Sequence, residues 1–306
     1  MCEREKILSV LGKLPEKTDL EVSFSEKTDK GVYSIQTVEY NTEKNDRVKA
    51  FLLTPNNCEN KKIPAIVAAH QHAGEYHWGK SEPAGVDGTP MYYYGKELAE
   101  RGFVVICPDH LGFEERLPDK SELEKFNING ALNERELFCR AVMNGSTLQS
   151  KYVYDLSVAV DVLCTFEYVD TERIGTIGHS LGGQEAMWLT FFDNRIKAGV
   201  SSCGFCTVQS VFDNHVPHNF AMFTIGGLEA GDNTAIMREI GRAGKAFMFT
   251  NGTKDRIFPM EGVREILKTI DAFEDKTKFK SIIFEDGHSF PFELRQETYE
   301  FLEKNL

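Results

Sequence analysis

From residue 63 onward, short apolar runs alternate with stretches whose apolar residues recur at helical spacing. Strands that are buried on both faces have such continuous apolar runs, and the helices between them cover the sheet. The alternation therefore predicts an α/β fold with a mostly parallel central sheet and helices on both faces. Right-handed crossovers bring the carboxyl ends of the strands to one edge of the sheet, where binding sites form. The predicted strands are residues 63–69, 103–108, 173–178, 196–201, 246–250 and 280–284, and the predicted helices are residues 92–101, 152–166, 182–192, 261–273 and 294–306.

The region before residue 63 has a different pattern. Two β-rich runs, residues 32–40 and 48–54, are joined by a polar segment and predict an antiparallel hairpin. Residues 1–31 are predicted to form a helical and extended segment. No internal repeat or linker divides the chain, so residues 1–306 are expected to form a single domain. The apolar face of the N-terminal helix is expected at Ile7, Leu8, Leu11 and Leu14.

Two long stretches, residues 112–150 and 204–244, interrupt the alternation. Both follow predicted strands, so both leave the edge at which the carboxyl ends of the strands meet. We expect these insertions to roof or wall a pocket at that edge. The alternative is that they decorate the periphery of the fold.

Charge and apolar content argue against several classes of function. Lys and Arg total 35 and Asp and Glu total 47, which gives a net charge of −12. Such acidity argues against nucleic-acid binding, which needs basic residues to neutralise phosphates, and against docking on an anionic membrane. No run approaches the roughly 18 apolar residues of a membrane span, and charges interrupt the N-terminus where a signal peptide needs an apolar core.

The seven cysteines are odd in number and scattered along the chain. Without a secretion signal, we expect reduced thiols in a cytoplasmic protein. Cys203 and Cys206 form a C-x-x-C pair, but its position is not that of a redox motif and no second pair completes a zinc site. The histidines also lack the H-E-x-x-H spacing of a metal site. The sequence therefore predicts neither a metal nor a cofactor.

The strongest chemical signal is the segment Gly-His-Ser-Leu-Gly-Gly at residues 178–183. It matches G-x-S-x-G and lies between a predicted strand and a predicted helix, the context in which that motif presents a nucleophilic serine. The glycines let the turn close tightly, and Ser180 then projects into the cleft beside the positive end of a helix. The alternative is a glycine-rich turn in which Ser180 only caps the helix.

A serine hydroxyl becomes an effective nucleophile when a base takes its proton. His288 follows the last predicted strand and is the best candidate for this base, the alternative being a turn histidine in contact with solvent. Asp255 follows strand 246–250 and is the candidate that orients the imidazole and stabilises its protonated form. Asp213 is the minor alternative for the acid, and a turn or helix cap is the alternative role for Asp255.

An acyl-transfer site also needs N–H donors for the negative charge that develops on the carbonyl oxygen. One donor is normally the backbone N–H of the residue after the nucleophile, here Leu181. The second is expected from the loop that follows the strand 63–69. The N–H of His72 is the preferred candidate and that of Gln71 is the next. The alternative is a loop that only places aromatic residues over the pocket.

Together these motifs resemble the α/β-hydrolase superfamily, and most closely its dienelactone-hydrolase-like and acetyl-xylan-esterase-like group. The resemblance spans the chain from about residue 32 to the C-terminus. Its most specific stretch comprises residues 154–156, 170–175, 178–183 and 193–198. The resemblance implies the α/β-hydrolase fold, backbone oxyanion donors, and a triad of Ser180 as nucleophile, Asp255 as acid and His288 as base.

The chain departs from the usual pattern of this group at two places. Many relatives have His-Gly where this chain has His70-Gln71, and the second glycine of the strand-four D-x-x-G-x-G motif is lost in residues 109–114. Side chains at these places and beside the nucleophile are expected near the substrate. The candidate pocket residues are His70, His110, Phe113 and His179.

The sequence thus predicts a serine hydrolase that cleaves a carboxylic ester, either a small acyl ester or a lactone, through an acyl-enzyme. An amidase or peptidase with the same triad is one alternative. A non-catalytic binding protein on a hydrolase fold is the other, and the intact set of triad residues argues against it. The expected partner is a small-molecule ester, while nucleic acid and membrane are not expected partners. The oligomeric state is left open, with a homodimer as one option.

Overall fold

The computed structural model describes residues 1–56, 58, 61–273 and 275–306. Within these residues the strands are β1 (Ser23–Phe24), β2 (Thr28–Asp29), β3 (Tyr33–Glu43), β4 (Asp46–Pro55), β5 (Ile63–Ala69), β6 (Val104–Pro108), β7 (Val169–His179), β8 (Ile196–Ser202), β9 (Ala246–Gly252) and β10 (Phe279–Phe284). The α-helices are α1 (Glu3–Ser9), α2 (Tyr94–Glu100), α3 (Lys120–Phe126), α4 (Gly130–Met143), α5 (Leu148–Leu163), α6 (Leu181–Phe192), α7 (Val208–Asp213), α8 (Asp232–Arg242), α9 (Met260–Asp271) and α10 (Phe292–Asn305).

The strands form one mixed sheet in the order β1-β3-β4-β6-β5-β7-β8-β9-β10, with β2 paired to β3. β3 and β4 are the predicted hairpin, and their antiparallel register sets Tyr33 opposite Pro55. β4 also runs antiparallel to β6, whereas every strand pair from β6 to β10 is parallel. The prediction of a mostly parallel sheet with an N-terminal antiparallel hairpin is confirmed.

The side chains of β5 show how helices come to cover both faces of the sheet. Ile66 and Ala68 belong to a core cluster shared with α2 and α10, while Ala65 and Val67 belong to a second cluster shared with α5, α6 and α8. Successive side chains of a strand alternate between faces, and here both faces are buried, so the run is continuously apolar. This double coverage confirms the α/β-hydrolase architecture.

The helix bounds differ from the prediction by one or two residues at most ends, and α5 and α1 show the differences with the clearest physical cause. α5 begins four residues earlier than its apolar spacing indicates, because the Thr147 hydroxyl accepts a hydrogen bond from the Ser150 N–H at 3.0 Å and caps the helix. α1 ends before Gly12, whose φ of +70° is typical of a chain leaving a helix. Leu14 therefore lies beyond the helix and is 39% exposed, so it is not part of the predicted apolar face.

The two insertions contain helices that the sequence pattern does not predict. Residues 112–150 include α3 and α4, and α4 is capped by Asn129, whose side chain accepts the Leu132 N–H at 2.9 Å. Residues 204–244 include α7 and α8. α8 is not a roof element, because residues such as Ile236 join the core cluster on one face of the sheet. Only the part of this stretch before α8 is free to wall a pocket.

The longest α-helix of the described residues is α5, with 16 residues. No helix in that part of the chain combines the length and the apolar composition that crossing a membrane requires.

Candidate active site

Ser180 lies in the tight turn between β7 and α6. Its backbone has φ 55° and ψ −121°, a strained combination for a residue with a side chain. A Cβ added to Gly182 would lie 2.1 Å from the carbonyl oxygen of Ala69, and one added to Gly178 would lie 2.2 Å from the carbonyl carbon of Gly182. Only glycine fits at these two positions, which is the steric reason for the G-x-S-x-G spacing. The Ser180 side chain makes no capping hydrogen bond to α6, so capping is not its role.

His288 follows β10 and Asp255 follows β9, so both reach the sheet edge at which β7 delivers Ser180. The Nδ1 atom of His288 and the Oδ2 atom of Asp255 are 2.8 Å apart, which is hydrogen-bond distance. A hydrogen on Nδ1 is donated to the carboxylate, which leaves Nε2 as the nitrogen able to accept a proton. The rings of His179 and Phe258 pack against that of His288, with centroids at 4.6 and 5.7 Å.

Asp255 is held as a carboxylate by the groups around it. Its Oδ1 atom accepts the backbone N–H groups of Ile257 at 2.8 Å and Phe258 at 3.2 Å. Burial raises the pKa of Asp255, but the hydrogen bond from His288 and the two N–H groups outweigh burial and hold the pKa below its usual value. The Asp255 side chain is fully buried, so water competes little for its charge.

The other acids near this position in the sequence are engaged elsewhere. Asp286 is exposed and accepts the Ser289 hydroxyl at 2.7 Å. Asp213 is exposed at the end of α7 and accepts the Gln209 side-chain amide at 2.8 Å. Of these three acids, Asp255 is the one that contacts His288.

Ser180 and His288 line the same cavity, which has a volume of about 700 Å³. Ala131 and Glu134 line it from the insertion 112–150, and residues 217–220 line it from the insertion 204–244. A third wall comes from residues 71–76, which belong to the loop after β5 (residues 70–76, the oxyanion loop, named for its predicted role). Parts of both insertions thus enclose the edge of the sheet at which Ser180 and His288 lie.

The backbone N–H groups predicted to bind an oxyanion lie beside this cavity. Leu181 is the first residue of α6, and Gln71 and His72 line the cavity. Among the described residues, none of these three N–H groups donates to an acceptor of the protein. Unpaired N–H groups at the start of a helix and in a loop are free to bind a ligand oxygen. Their assignment as oxyanion donors stays a prediction.

Four side chains that the sequence places at the pocket do not line this cavity. They are His70, His110, Phe113 and His179, each at most 1% exposed. The expectation is therefore corrected: they lie behind the cavity wall. The strand order determines which residues lie at the carboxyl edge of the sheet, but packing determines the direction in which each side chain points.

The three buried histidines form part of a packed layer that supports the loops. His70 donates from Nδ1 to the Gln71 carbonyl at 2.7 Å and accepts the His110 backbone N–H on Nε2 at 3.1 Å. His110 stacks on Tyr152, with ring centroids 4.7 Å apart. Burial lowers the pKa of His70 to about 4 and holds the pKa values of His110 and His179 well below their usual range. These rings are neutral; that of His70 contacts backbone groups, whereas Nδ1 of His179 lies 3.0 Å from the Ser202 hydroxyl.

Sequence reasoning missed three polar residues of the cavity wall, Glu134, His218 and Asn219. His218 accepts on Nδ1 from the backbone N–H of Asn219 at 3.1 Å and from its side-chain amide at 2.9 Å. Burial lowers the pKa of His218 to about 3, so this imidazole is neutral. All three lie in the insertions that are predicted to wall the pocket, but none lies in a motif or directly after a strand, so the sequence gives no signal for the individual side chains.

Cys203 lies beside Asp255 and His288. One ligand atom each of Cys203, Asp255 and His288 lie within 4.8 Å of one another. Burial raises the pKa of the Cys203 thiol to about 12, so the thiol is protonated. These are zinc-ligand types, but the 2.8 Å contact of His288 and Asp255 is a direct hydrogen bond that an ion would have to replace. Cys206, the second member of the C-x-x-C pair, is also a buried thiol.

α6 carries a buried acid five residues after Ser180. Glu185 is fully buried, and its Oε2 atom accepts the Gln149 side-chain amide at 2.7 Å. Among the described residues, no cation pairs with it. Burial therefore raises the pKa of Glu185 to about 8, and the group is a neutral carboxylic acid at pH 7.

Glu185→Gln is expected to flatten the pH dependence of stability. The folded protein keeps the Glu185 proton up to about pH 8, whereas the unfolded chain loses it near pH 4.5, the ordinary pKa of a glutamate side chain. The stability that this group contributes is therefore full below pH 4.5 and is lost as pH rises toward 8, by up to about 1.4 kcal/mol per pH unit. Glutamine stays neutral throughout. Relative to wild type, the variant should gain about 2–4 kcal/mol in free energy of unfolding between pH 5 and pH 8, measured with urea.

The control for this prediction is Glu136→Gln, since Glu136 is partly exposed and pairs with Arg140 on α4. That variant should follow the wild-type pH dependence. If Glu185→Gln and wild type lose stability in parallel from pH 5 to pH 8, Glu185 is not held neutral in the fold.

The sequence matches one protein-family model over most of its length. The model of the dienelactone hydrolase family matches residues 48–302. The protein YtaP of Bacillus subtilis (strain 168) is 27% identical over 316 residues, which cover 99% of this chain and 98% of YtaP.

Solved structures resemble the fold over nearly the whole chain. The acetyl xylan esterase from Paenibacillus sp. R4 has a TM-score of 0.68 at 16% identity, covering 99% of this chain and 93% of that one. The glucuronoyl esterase from Solibacter usitatus has a TM-score of 0.67 at 12% identity, covering 99% and 92%. At such identities the likeness establishes the fold alone, and the family follows from the sequence match. The chain belongs to the dienelactone hydrolase family and is a hydrolase of the carboxylic-ester type.

Proposed function

We propose that this hydrolase cleaves a small acyl ester or a lactone through an acyl-enzyme formed on Ser180. The observation that supports this most is the hydrogen-bonded pair of His288 and Asp255, since its imidazole lines the same cavity as Ser180. A nucleophile in a strained turn, a base and a buried acid that orients the base are the parts that acyl transfer requires.

In the proposed cycle, Oγ of Ser180 attacks the ester carbonyl carbon while Nε2 of His288 takes the hydroxyl proton. The carbonyl electron pair moves to the oxygen, which the N–H groups of Leu181 and His72 bind. Collapse of this intermediate breaks the bond to the alcohol, and the proton on His288 passes to the alcohol oxygen. Water then attacks the acyl-enzyme and gives a proton to His288, which returns it to Ser180 as the carboxylic acid leaves. Asp255 stabilises the imidazolium in both halves.

The cavity wall supports a short acyl group over a long one. Gln71, Glu134 and Asn219 bring polar groups to it, and Tyr76 and Tyr92 bring aromatic rings. A long alkyl chain would displace water from these polar groups without replacing its hydrogen bonds. We therefore infer a preference for acetyl and butyryl esters, which agrees with the acetyl ester in the name of the Paenibacillus enzyme.

The test is a matched panel of esters and amides. Wild type should hydrolyse p-nitrophenyl acetate and butyrate, with kcat/KM lower by about tenfold or more for the octanoate, since a misfit of about 1.4 kcal/mol gives that ratio. The matching p-nitroanilides should react far more slowly, because an amine leaving group needs stronger acid assistance. A fluorophosphonate should add one adduct, located on Ser180 by mass spectrometry.

The outcomes separate the alternatives. Equal rates for anilides and esters would favour an amidase, and a preference for octanoate would overturn the inferred short acyl group. An adduct on another residue would move the nucleophile. A folded protein with neither turnover nor adduct would contradict the acyl-enzyme mechanism and support a binding protein.

A further inference from the structure

We propose that Glu134 is a positioning residue that holds the oxyanion loop in its active conformation from the roof of the cavity. The proposal rests on the proposed function, because it assigns Glu134 to the same site. Glu134 lies in α4, within the insertion 112–150, and is only 3% exposed. Its carboxylate faces two other segments of the cavity wall, and the insertion thereby reaches the loop that carries the predicted oxyanion donor.

One carboxylate joins three separate parts of the chain. Oε2 of Glu134 accepts Nε2–H of His72 at 2.9 Å and the hydroxyl of Tyr76 at 2.8 Å. Oε1 accepts the backbone N–H of Phe220, in the second insertion, at 2.9 Å. Burial raises the pKa of Glu134, but the hydrogen bonds from His72, Phe220 and Tyr76 outweigh burial and keep the pKa below its usual value. The group is thus an ionised acceptor for three donors.

The oxyanion loop has a backbone that benefits from such an outside contact. Ala73 has φ 49° and Gly74 has φ 76°, two successive residues in the left-handed region, which alanine disfavours. The His72 ring closes this turn, because its Nδ1 atom accepts the Gly74 N–H at 2.9 Å. Because Nδ1 accepts this N–H, the ring hydrogen lies on Nε2, which faces Glu134. The ring bridges the strained turn and the carboxylate.

This bridge affects catalysis because it positions the backbone of His72. Its N–H is the predicted second oxyanion donor, and such a donor stabilises the transition state only when it is aimed at the developing charge. A misplacement of about 1 Å in an active site can cost about 10²-fold in rate. Glu134 does not need to touch the reacting atoms for this effect, since it acts through the position of His72.

Glu134→Gln is the variant that tests the proposal. A glutamine side chain has one oxygen and one NH2 group, so at least one of the three donors would face another donor. We expect kcat for p-nitrophenyl acetate to fall by about 10- to 100-fold while KM stays within about twofold, because the oxyanion donor is needed in the transition state and not for binding the ester. Glu136→Gln, on the exposed side of the same helix, should leave both constants unchanged.

A second measurement reports the loop itself, independent of turnover. Amide hydrogen exchange, read by mass spectrometry, should become about tenfold faster or more in peptides that cover residues 70–76 and 217–222 of Glu134→Gln, and should not change in Glu136→Gln. Tyr76→Phe removes one hydrogen bond from the same carboxylate and leaves the other two. It should show a smaller loss of kcat in the same direction, and it serves as the test variant if Glu134→Gln does not fold.

Three results would overturn the proposal. Unchanged kcat together with unchanged exchange would mean that Glu134 does not hold the loop. A raised KM with wild-type kcat would mean that Glu134 binds substrate instead. Faster exchange with wild-type kcat would mean that the contact is structural only. If wild type itself shows no ester turnover, the proposed function fails separately, and the proposal falls with it for this reaction, whereas the exchange rates still decide whether Glu134 holds the loop.

Discussion

Replacing Ser180 with alanine is expected to lower kcat for p-nitrophenyl acetate by about 10⁵-fold or more, because no other atom in the turn can form the acyl bond. Alanine keeps the Cβ atom and removes only the hydroxyl, which makes no capping hydrogen bond to α6. The free energy of unfolding should therefore change by less than about 1 kcal/mol. Steady-state kinetics and urea unfolding of the same preparation would measure both effects.

The matched control is Ser289→Ala, which removes the serine next to His288 in sequence. The Ser289 hydroxyl donates to Asp286 at 2.7 Å on the exposed side of that turn, so its loss should leave turnover within about twofold of wild type. If Ser180→Ala retained a tenth of the wild-type kcat, Ser180 would not be the nucleophile, and the pair of His288 and Asp255 would have to activate a different group.

Asp255→Asn is expected to lower kcat by about 10⁴-fold, the second-largest effect, with little loss of stability. The Oδ1 position accepts the backbone N–H groups of Ile257 and Phe258, so the asparagine oxygen should stay there. The NH2 group then faces Nδ1 of His288 and donates to it. The imidazole hydrogen must move to Nε2, where it blocks transfer of the proton from Ser180.

This prediction can be checked by the rate of fluorophosphonate labelling as well as by turnover. Both rates should fall together in Asp255→Asn, because both depend on an activated serine. Asp286→Asn is the control, since Asp286 is exposed and does not contact His288 in the structure. A kcat within tenfold of wild type for Asp255→Asn would assign the acid to another residue.

The parts of the fold that the sequence predicts depend on interactions between residues close together in the chain. The run 63–69 coincides with β5 because both of its faces are buried, and this burial demands a continuous apolar segment. The turn at Ser180 is local in part, because Gly182 excludes a side chain at Gly178, whereas the carbonyl oxygen of Ala69 at the end of β5 excludes one at Gly182. Periodicity and glycine spacing are sufficient evidence for features of this kind.

Predictions about the cavity wall succeeded less well. His70 and His110 were expected at the pocket because they follow β5 and β6, and the structure does place them at that edge. Their rings nevertheless turn into the protein, where His110 stacks on Tyr152 from α5. The residues that neighbour a histidine in sequence do not indicate which partner its ring will pack against. The pattern of strands therefore predicts where the loop lies but not the direction of the histidine side chain.

The sequence alone determined the alternation of strands and helices outside the two insertions, the tight serine turn, and the candidates Asp255 and His288. These candidates follow because the carboxyl ends of parallel strands such as β7, β9 and β10 meet at one edge of the sheet. Tertiary structure alone decided which side chains enclose the cavity. The contact of His72 with Glu134 joins residues 62 positions apart. It depends on how α4 packs over the sheet edge, and packing of that kind produces no periodic pattern in the sequence from which it could be predicted.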